Sequence, residues 1–362
     1  MKHFFLNAMA VADLSRGVVE RRPLPDDVLS SEDASRLVDA FPGALVLTAG
    51  SLTGSFAPAS GLVTIYADGK TSFVTGHVGR ALRLCALDAV VVTGKADAPV
   101  ALLLDEKGGT LSAADPDLDA PAQRAAFTRM ARAASCAGDA VPLSLLAGPA
   151  AFHGCASPCL IHETGVAPRT APAASAMAKR RLAGIGFHGG AGFVSPVPMD
   201  GPLRQAVPAE RVSAASLAAL WKVAGFGAGA QVSPGRSLAC FACPAPCGFW
   251  LSLDGGFVAC TAPEALAALL GAGATQEKAA RILALGESYG VDPLALAPLA
   301  AADTLPDTLD ACAKAASPLP GRDEDDALNA LAAAEGVCPF FLKRFPAAKA
   351  ALEAFRNDDN HA

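Results

Sequence analysis

"DAVVVTGKADAPVALLLDEKGG", residues 88–109, sets two runs of β-branched and aliphatic residues on either side of a turn rich in Gly, Asp and Pro. Each run has the length of a buried strand, and the residues that punctuate them are those that end strands. The same texture recurs in "ALVLTAG" (44–50), "LVTIYADG" (62–69), "VPLSLLAG" (141–148) and "GIGFHGG" (184–190). Up to about residue 200 the chain therefore reads as short strands with a helix or two, expected at 121–135 and 173–183. No internal repeat is visible.

From Pro208, in "PAERVSAASLAALWKVAG", the period becomes helical, with further helices expected at 262–273, 275–288, 323–335 and 341–356. The Pro- and Asp-rich stretch 301–326 reads as loop. The expected architecture is α+β, with a β-rich two-sheet domain over 1–205 and a shortened helical domain over 206–362.

The 362 residues are 52% hydrophobic with a mean hydropathy of +0.35, but Ala and Gly supply much of this. No apolar run reaches the roughly 18 residues that a membrane-spanning helix needs, so no membrane partner is expected. A net charge of −6 and a pI near 5.5 give no electrostatic footprint for nucleic acid. The opening "MKHFFLNAMAVADLSRG" mimics a secretion signal, but Asn7 interrupts it and Asp13 and Arg16 follow, so a cytoplasmic location is expected.

Ten cysteines stand in the chain, three of them in "LACFACPAPCGFW" (238–250) as Cys240, Cys243 and Cys247. In a chain of this size clustered thiols point to metal over disulfides. Three cysteines at this spacing suit an iron–sulfur cluster or tetrahedral zinc, and either needs a fourth ligand. Cys260 and Cys338 are the candidates, and spacing does not choose between them. Isolated Cys85, Cys136 and Cys312 read as small buried hydrophobes. Cys155 and Cys159 read the same way, with a second metal or redox site that includes His153 as the alternative.

Several dispersed stretches, in order, resemble the tungstopterin-dependent aldehyde ferredoxin oxidoreductases. "VADLSRGVVERRPLPDDVL" (11–29) is similar to the family's first strand and turn, and "LVLTAGSLTGSFAPASG" (45–61) to its "GPLTGTxAPTxGR". Residues 78–104 resemble "FGAELKxAGYDAxxVxGKAxxPVYxxI", and 145–165 resemble "SIGPAGExxVxxAxIxND". The cysteine triplet resembles "CxxCPxxCG", "GESYGVDPLALA" (286–297) resembles the pterin-binding "DxxGLDxxSxG", and "AAAEGVCPF" (332–340) resembles "DxxGLCxF". The resemblance implies a two-sheet base followed by helices, and a [4Fe–4S] cluster on Cys240, Cys243, Cys247 and Cys338. It also implies that Glu287, Gly290, Asp292 and Gly336 are what remains of the cofactor-binding motifs.

The departures bear on activity. The family's Gly-rich "AAGRGGxGAxMGSKN" stands here as "APRTAPAASAMAKRR" (167–181), so glycines needed for close approach are Pro and Ala. Arg169, Lys179, Arg180 and Arg181 read as solvated surface charge, with an anion site as the alternative. The arginine of "TxGR" is Leu62, the leading aspartates of the two pterin motifs are Glu287 and Ala333, and the second Glu of "PEYE" is Leu266, which cannot exchange a proton. The part holding the family's active-site His and most of its substrate channel is missing between Cys247 and Cys338.

The reading these features favour is a [4Fe–4S] redox protein, an electron carrier or assembly subunit without an intact tungstopterin or molybdopterin site. The alternatives are an oxidoreductase on aldehyde or oxo substrates with a modified pterin site, and a structural zinc protein. The expected partner is ferredoxin or another protein subunit. A helical remnant stripped of its neighbours would expose apolar surface, so a homodimer or hetero-oligomer is expected.

Overall fold

The structure, a computed structural model, describes residues 6–31, 34–55, 57, 59–133, 142–190, 237–241, 243, 248–253, 256–260, 263–302, 304–319 and 326–357. In chain order the first strands are β1 Ala8–Asp13, β2 Val18–Pro23, β3 Leu45–Ala49, β4 Val63–Ala67, β5 Lys70–Val74 and β6 Ala89–Thr93. They form one sheet in the order β2-β1-β6-β3-β4-β5. Next come β7 Val100–Asp105, β8 Gly108–Ala113, β9 Leu143–Leu146, β10 Leu160–His162, β11 Gly165–Ala167 and β12 Leu182–Phe187. Their order is β11-β10-β9-β12-β7-β8.

These two sheets are one topology used twice. β1 pairs parallel with β6, and β7 pairs parallel with β12. Every other pairing within the two sheets is antiparallel, and each strand of the first has its counterpart six strands later. The helices follow suit. α1 Asp26–Ser31 and α2 Leu37–Ala40 precede β3 as α4 Ala120–Ala133 precedes β9. α3 Val78–Leu84 precedes β6 as α6 Ala171–Lys179 precedes β12, while α5 Gly148–Phe152 is an addition of the second half. The sequence reading found no repeat because the halves share topology and not residues: β1 is "AMAVAD" and β7 is "VALLLD".

α3 packs on β9 and β12 of the opposite sheet, and α6 on β3, β4 and β5 of the first. Between the sheets Leu45, Leu47, Val90, Val92, Leu102 and Leu104 meet Leu82 and Met177 of these helices. Neighbouring residues point the other way: Val46 and Val91 pack with Val28 and Leu37, and Leu103 with Phe127 of α4. Burial on both faces explains why the strands read as unbroken apolar runs.

α6 ends before the expected 183, and Arg181 at φ 60° turns the chain into β12. The expected boundary at 205/206 and the helix expected from Pro208 lie outside the described residues. Beyond them comes a feature the helical reading missed, an antiparallel sheet of β13 Ser237–Leu238, β14 Gly248–Leu253 and β15 Gly256–Cys260. α7 Pro263–Gly271, α8 Gln276–Tyr289 and α10 Asp326–Glu335 follow the expected helices, and the last one is split into α11 Pro339–Arg344 and α12 Pro346–Asn357. Pro346, which has no N–H to give, starts the second piece. The expected loop 301–326 contains α9 Leu309–Ala315, capped where Thr308 Oγ1 accepts from Ala311 N at 3.3 Å and anchored by fully buried Cys312. Among the described residues Leu6 is the one large apolar side chain left exposed, so the apolar patch expected of the helical part is not seen there.

α3 takes one charge into the core. Arg83 is fully buried and paired with buried Asp88. It also donates from Nη2 to the Gly50 carbonyl at 2.9 Å and from Nε to the Thr53 carbonyl at 3.2 Å. Burial pulls its pKa down to about 9, which leaves it charged at neutral pH. Arg83→Met would strand the Asp88 charge, and we expect it to cost about 3–5 kcal/mol in urea unfolding. A loss below about 1 kcal/mol, the range of an exposed pair, would show that the pair is dispensable.

Candidate metal centre

Two helices end in left-handed glycines whose turns dock on corresponding loops of the two sheets. α8 ends at Gly290, φ 71°, and α10 at Gly336, φ 70°. The residues after them run Val291–Asp292 and Val337–Cys338.

The Gly336 turn seats on the β3–β4 loop. Ser51 N and Leu52 N donate to the Ala334 and Glu335 carbonyls, both at 2.9 Å, Leu62 N to Gly336 O at 3.3 Å, and Cys338 N to Ala59 O at 3.1 Å. The Ser51 hydroxyl donates to Glu335 Oε2. A Cβ on Gly50 would run into the Gly336 backbone, and one on Gly336 into Thr53, so only glycine fits at both positions.

The Gly290 turn seats on the β9–β10 loop in the same way. Cys159 N donates to Gly290 O at 2.7 Å and Asp292 N to Ser157 O at 2.9 Å. Asp292 is buried, and its carboxylate accepts from Arg169 N and, at 3.0 Å, from Leu294 N. Burial raises its pKa against those two bonds. Glu287, one turn earlier, pairs with Arg124 at 3.2 Å. Polar groups of the first pterin half-motif are thus engaged by the protein.

The cysteines come to the other seat. Cys240 and Cys243 share a turn, with Cys243 N donating to Cys240 O at 3.1 Å. Hydrogen bonds from Thr75 and Gly76 reach the Cys240 sulfur, whose pKa burial raises. Phe241 N donates to Gly76 O at 3.0 Å, and Arg80 lies over the Phe241 ring at 5.0 Å. Cys243 and Cys338 pack, half-buried, against one apolar cluster that includes Leu52, Leu62 and Phe341, whereas Cys260 is fully buried in another with Leu251 and Leu266. Cys247 lies outside the described residues. Among those described, no three His, Cys, Asp or Glu side chains close into a group able to hold a metal. The Cys243 and Cys338 thiols lie on two segments against one apolar wall, and hydrogen-bond donors stand beside the Cys240 sulfur.

Two sites weighed from the sequence find protein partners. Lys179 pairs with Asp68 at 2.7 Å, Arg180 donates to the Gly43 carbonyl, and Arg169 has its N–H on Asp292. His153 turns to Asp117 at 2.7 Å, and Cys159 is fully buried. Cys85 and Cys312 are buried as expected, while Cys136 lies outside the described residues.

Sequence reasoning missed a cluster beside Cys240. Glu163 accepts from His77 N at 2.5 Å and lies 3.2 Å from His77 Nδ1, with His162 Nδ1 at 4.0 Å. The His162 carbonyl accepts from Arg124 Nη2 at 2.5 Å. "HETG" alone carries no signal for it, because His77 lies 86 positions away from Glu163.

Residues 38–189 match the aldehyde ferredoxin oxidoreductase N-terminal domain. Over those residues the chain is similar to the N-terminal domain of this oxidoreductase family, in the region of the paired sheets described above. A solved structure with the same fold is the active site complex BamBC of benzoyl coenzyme A reductase in complex with 1,5-dienoyl-CoA, at a TM-score of 0.60 and 13% identity. The match covers 99% of this chain and 65% of that one, so the chain spans under two thirds of the neighbour's length. None of the curated proteins matches in sequence. Among the described residues no helix is long and apolar enough to cross a membrane.

The histidine cluster sets a pH dependence. Burial lowers the His162 pKa from 6.5. Burial raises that of Glu163, but bonds from His77 and the nearby His162 outweigh it and hold the carboxyl below 4.5. Both folded values are depressed, so the stability from His162 is present above 6.5 and lost as pH falls through its folded value; that from Glu163 goes in the same direction below 4.5. His162→Asn should flatten the fall in Tm between pH 7 and pH 5. Parallel Tm curves for the variant and the parent would show that His162 does not titrate this way.

Proposed function

We propose that this protein is an aldehyde ferredoxin oxidoreductase-like redox protein that binds a [4Fe–4S] cluster through Cys240, Cys243, Cys247 and Cys338. It serves as an electron carrier or as the electron-transferring subunit of a larger assembly, and does not use a tungstopterin. When bound, the cluster supplies one-electron transfer, with a potential set by hydrogen bonds and solvent exposure. The observation that carries this reading is the meeting of Cys243 and Cys338 on one apolar cluster, while Cys260 is buried in another. Against a pterin stand the engaged Glu287 and Asp292 carboxylates and the absence of glycines from 167–181.

The chain's own groups would do the following. Thr75 and Gly76 hydrogen-bond the Cys240 sulfur, stabilising its thiolate, and the wall of Leu52, Leu62 and Phe341 keeps water from one side. Phe241 sits between His77, with ring centroids 6.3 Å apart, and exposed Arg80. A partner such as ferredoxin or a second subunit would meet this side. The fold neighbour is itself part of a complex, which supports an assembly for this chain.

Purified without oxygen, the protein should contain about four irons and four sulfides per chain, with neither tungsten nor molybdenum. Cys338→Ser should lower the iron content, and Cys260→Ser should leave it unchanged. Stoichiometric tungsten or molybdenum would replace this reading with that of an enzyme on aldehyde or oxo substrates. Zinc alone would make the thiols a structural site.

A further inference from the structure

We propose that Arg83, which lies on α3 and is not a metal ligand, is the positioning residue for Cys338; this rests on the cluster reading above. The peptide unit whose oxygen is Gly50 O has Ser51 N at its other end. Arg83 Nη2 donates to that oxygen at 2.9 Å, and Ser51 N donates to Ala334 O at 2.9 Å. A second unit repeats the arrangement: Arg83 Nε donates to Thr53 O at 3.2 Å, and Gly54 N donates to Ser60 O at 2.8 Å. The next carbonyl back along the chain, Ala59 O, accepts from Cys338 N at 3.1 Å. One guanidinium therefore fixes the first part of the loop on which the Cys338 turn rests, and the Gly54–Ser60 bond carries that constraint to the part that holds Cys338. The guanidinium also polarises the two peptide units that hold that loop, since hydrogen bonds in series strengthen one another.

The geometry needs arginine. The three nitrogens of the fork serve Asp88, Gly50 O and Thr53 O together, and the single ammonium of lysine cannot span them. Gly54, at φ 78°, lets the loop close over the Arg83 stem, and a Cβ there would touch Arg83 Cγ at 2.8 Å. Outer-shell partners of metal ligands commonly change metal affinity by about 10–100-fold when altered.

The test uses the full chain reconstituted with iron and sulfide without oxygen. Arg83→Lys is compared with Val28→Ala, a core change under the outer face of the first sheet, at conditions where both have lost the same stability. Iron release to a chelator and the reduction potential are measured for each. We expect release from Arg83→Lys on the order of tenfold faster than from Val28→Ala, together with a shifted potential. Ser51→Ala, which removes one bond to Glu335 and leaves the core intact, should move both readouts in the same direction by less. Equal release and equal potential for the lysine variant and its stability-matched control would overturn the positioning role while leaving the cluster reading intact. A parent chain that takes up no cluster would overturn both.

Discussion

A buried guanidinium opposite a buried carboxylate constrains this molecule more than any other pair. Neither charge can be left alone in a core of Leu, Val and Ala, so Arg83 and Asp88 must meet, and α3 must cross the end of the first sheet where they do. The backbone at Asp88 then fixes its neighbours, since Asp88 N donates to Ala8 O at 2.8 Å and Ala49 N to Asp88 O at 2.8 Å. β1, β3 and β6 are thereby aligned at one edge, and the loop after β3 is presented outward with a defined shape. The helical region is attached to that loop.

The doubled topology makes the helical region a clamp with two jaws. One jaw ends in Asp292 and the other in Cys338, on corresponding loops, and side-chain chemistry separates their roles. Asp292 is consumed by backbone donors of its own half and locks the jaw shut. Cys338 stands at the start of a helix and packs half-buried against an apolar wall. The same backbone device thus carries a carboxylate on one side and a thiol on the other.

What could be read from the sequence was local. Runs such as Val90–Val92 announce themselves because both faces are buried, and the cysteine triplet does because three thiols lie within eight positions. Family motifs added the two glycine turns. The repeat stayed hidden because topology leaves no trace in residue identity when Ala in one half is matched by Leu in the other. α9 stayed hidden because Pro and Asp around it read as loop, while its Thr308 cap and buried Cys312 matter only in the fold. His77, His162 and Glu163 stayed hidden for a similar reason: a histidine after a strand and a "HE" pair gain meaning only when β5 and β10 bring them together.

The Ser51–Glu335 bond spans 284 positions. At about 5–20 residues per second a ribosome needs roughly 15–60 s to pass from one to the other. Through that interval the β3–β4 loop has already been made, yet Leu52 and Leu62 have no helices to cover them. The seat is the older side of this contact and the Cys338 turn the younger, so the two can dock only late in synthesis or after it. Until then the apolar faces of Leu52 and Leu62 stand open to water, the kind of transient exposure that invites wrong contacts.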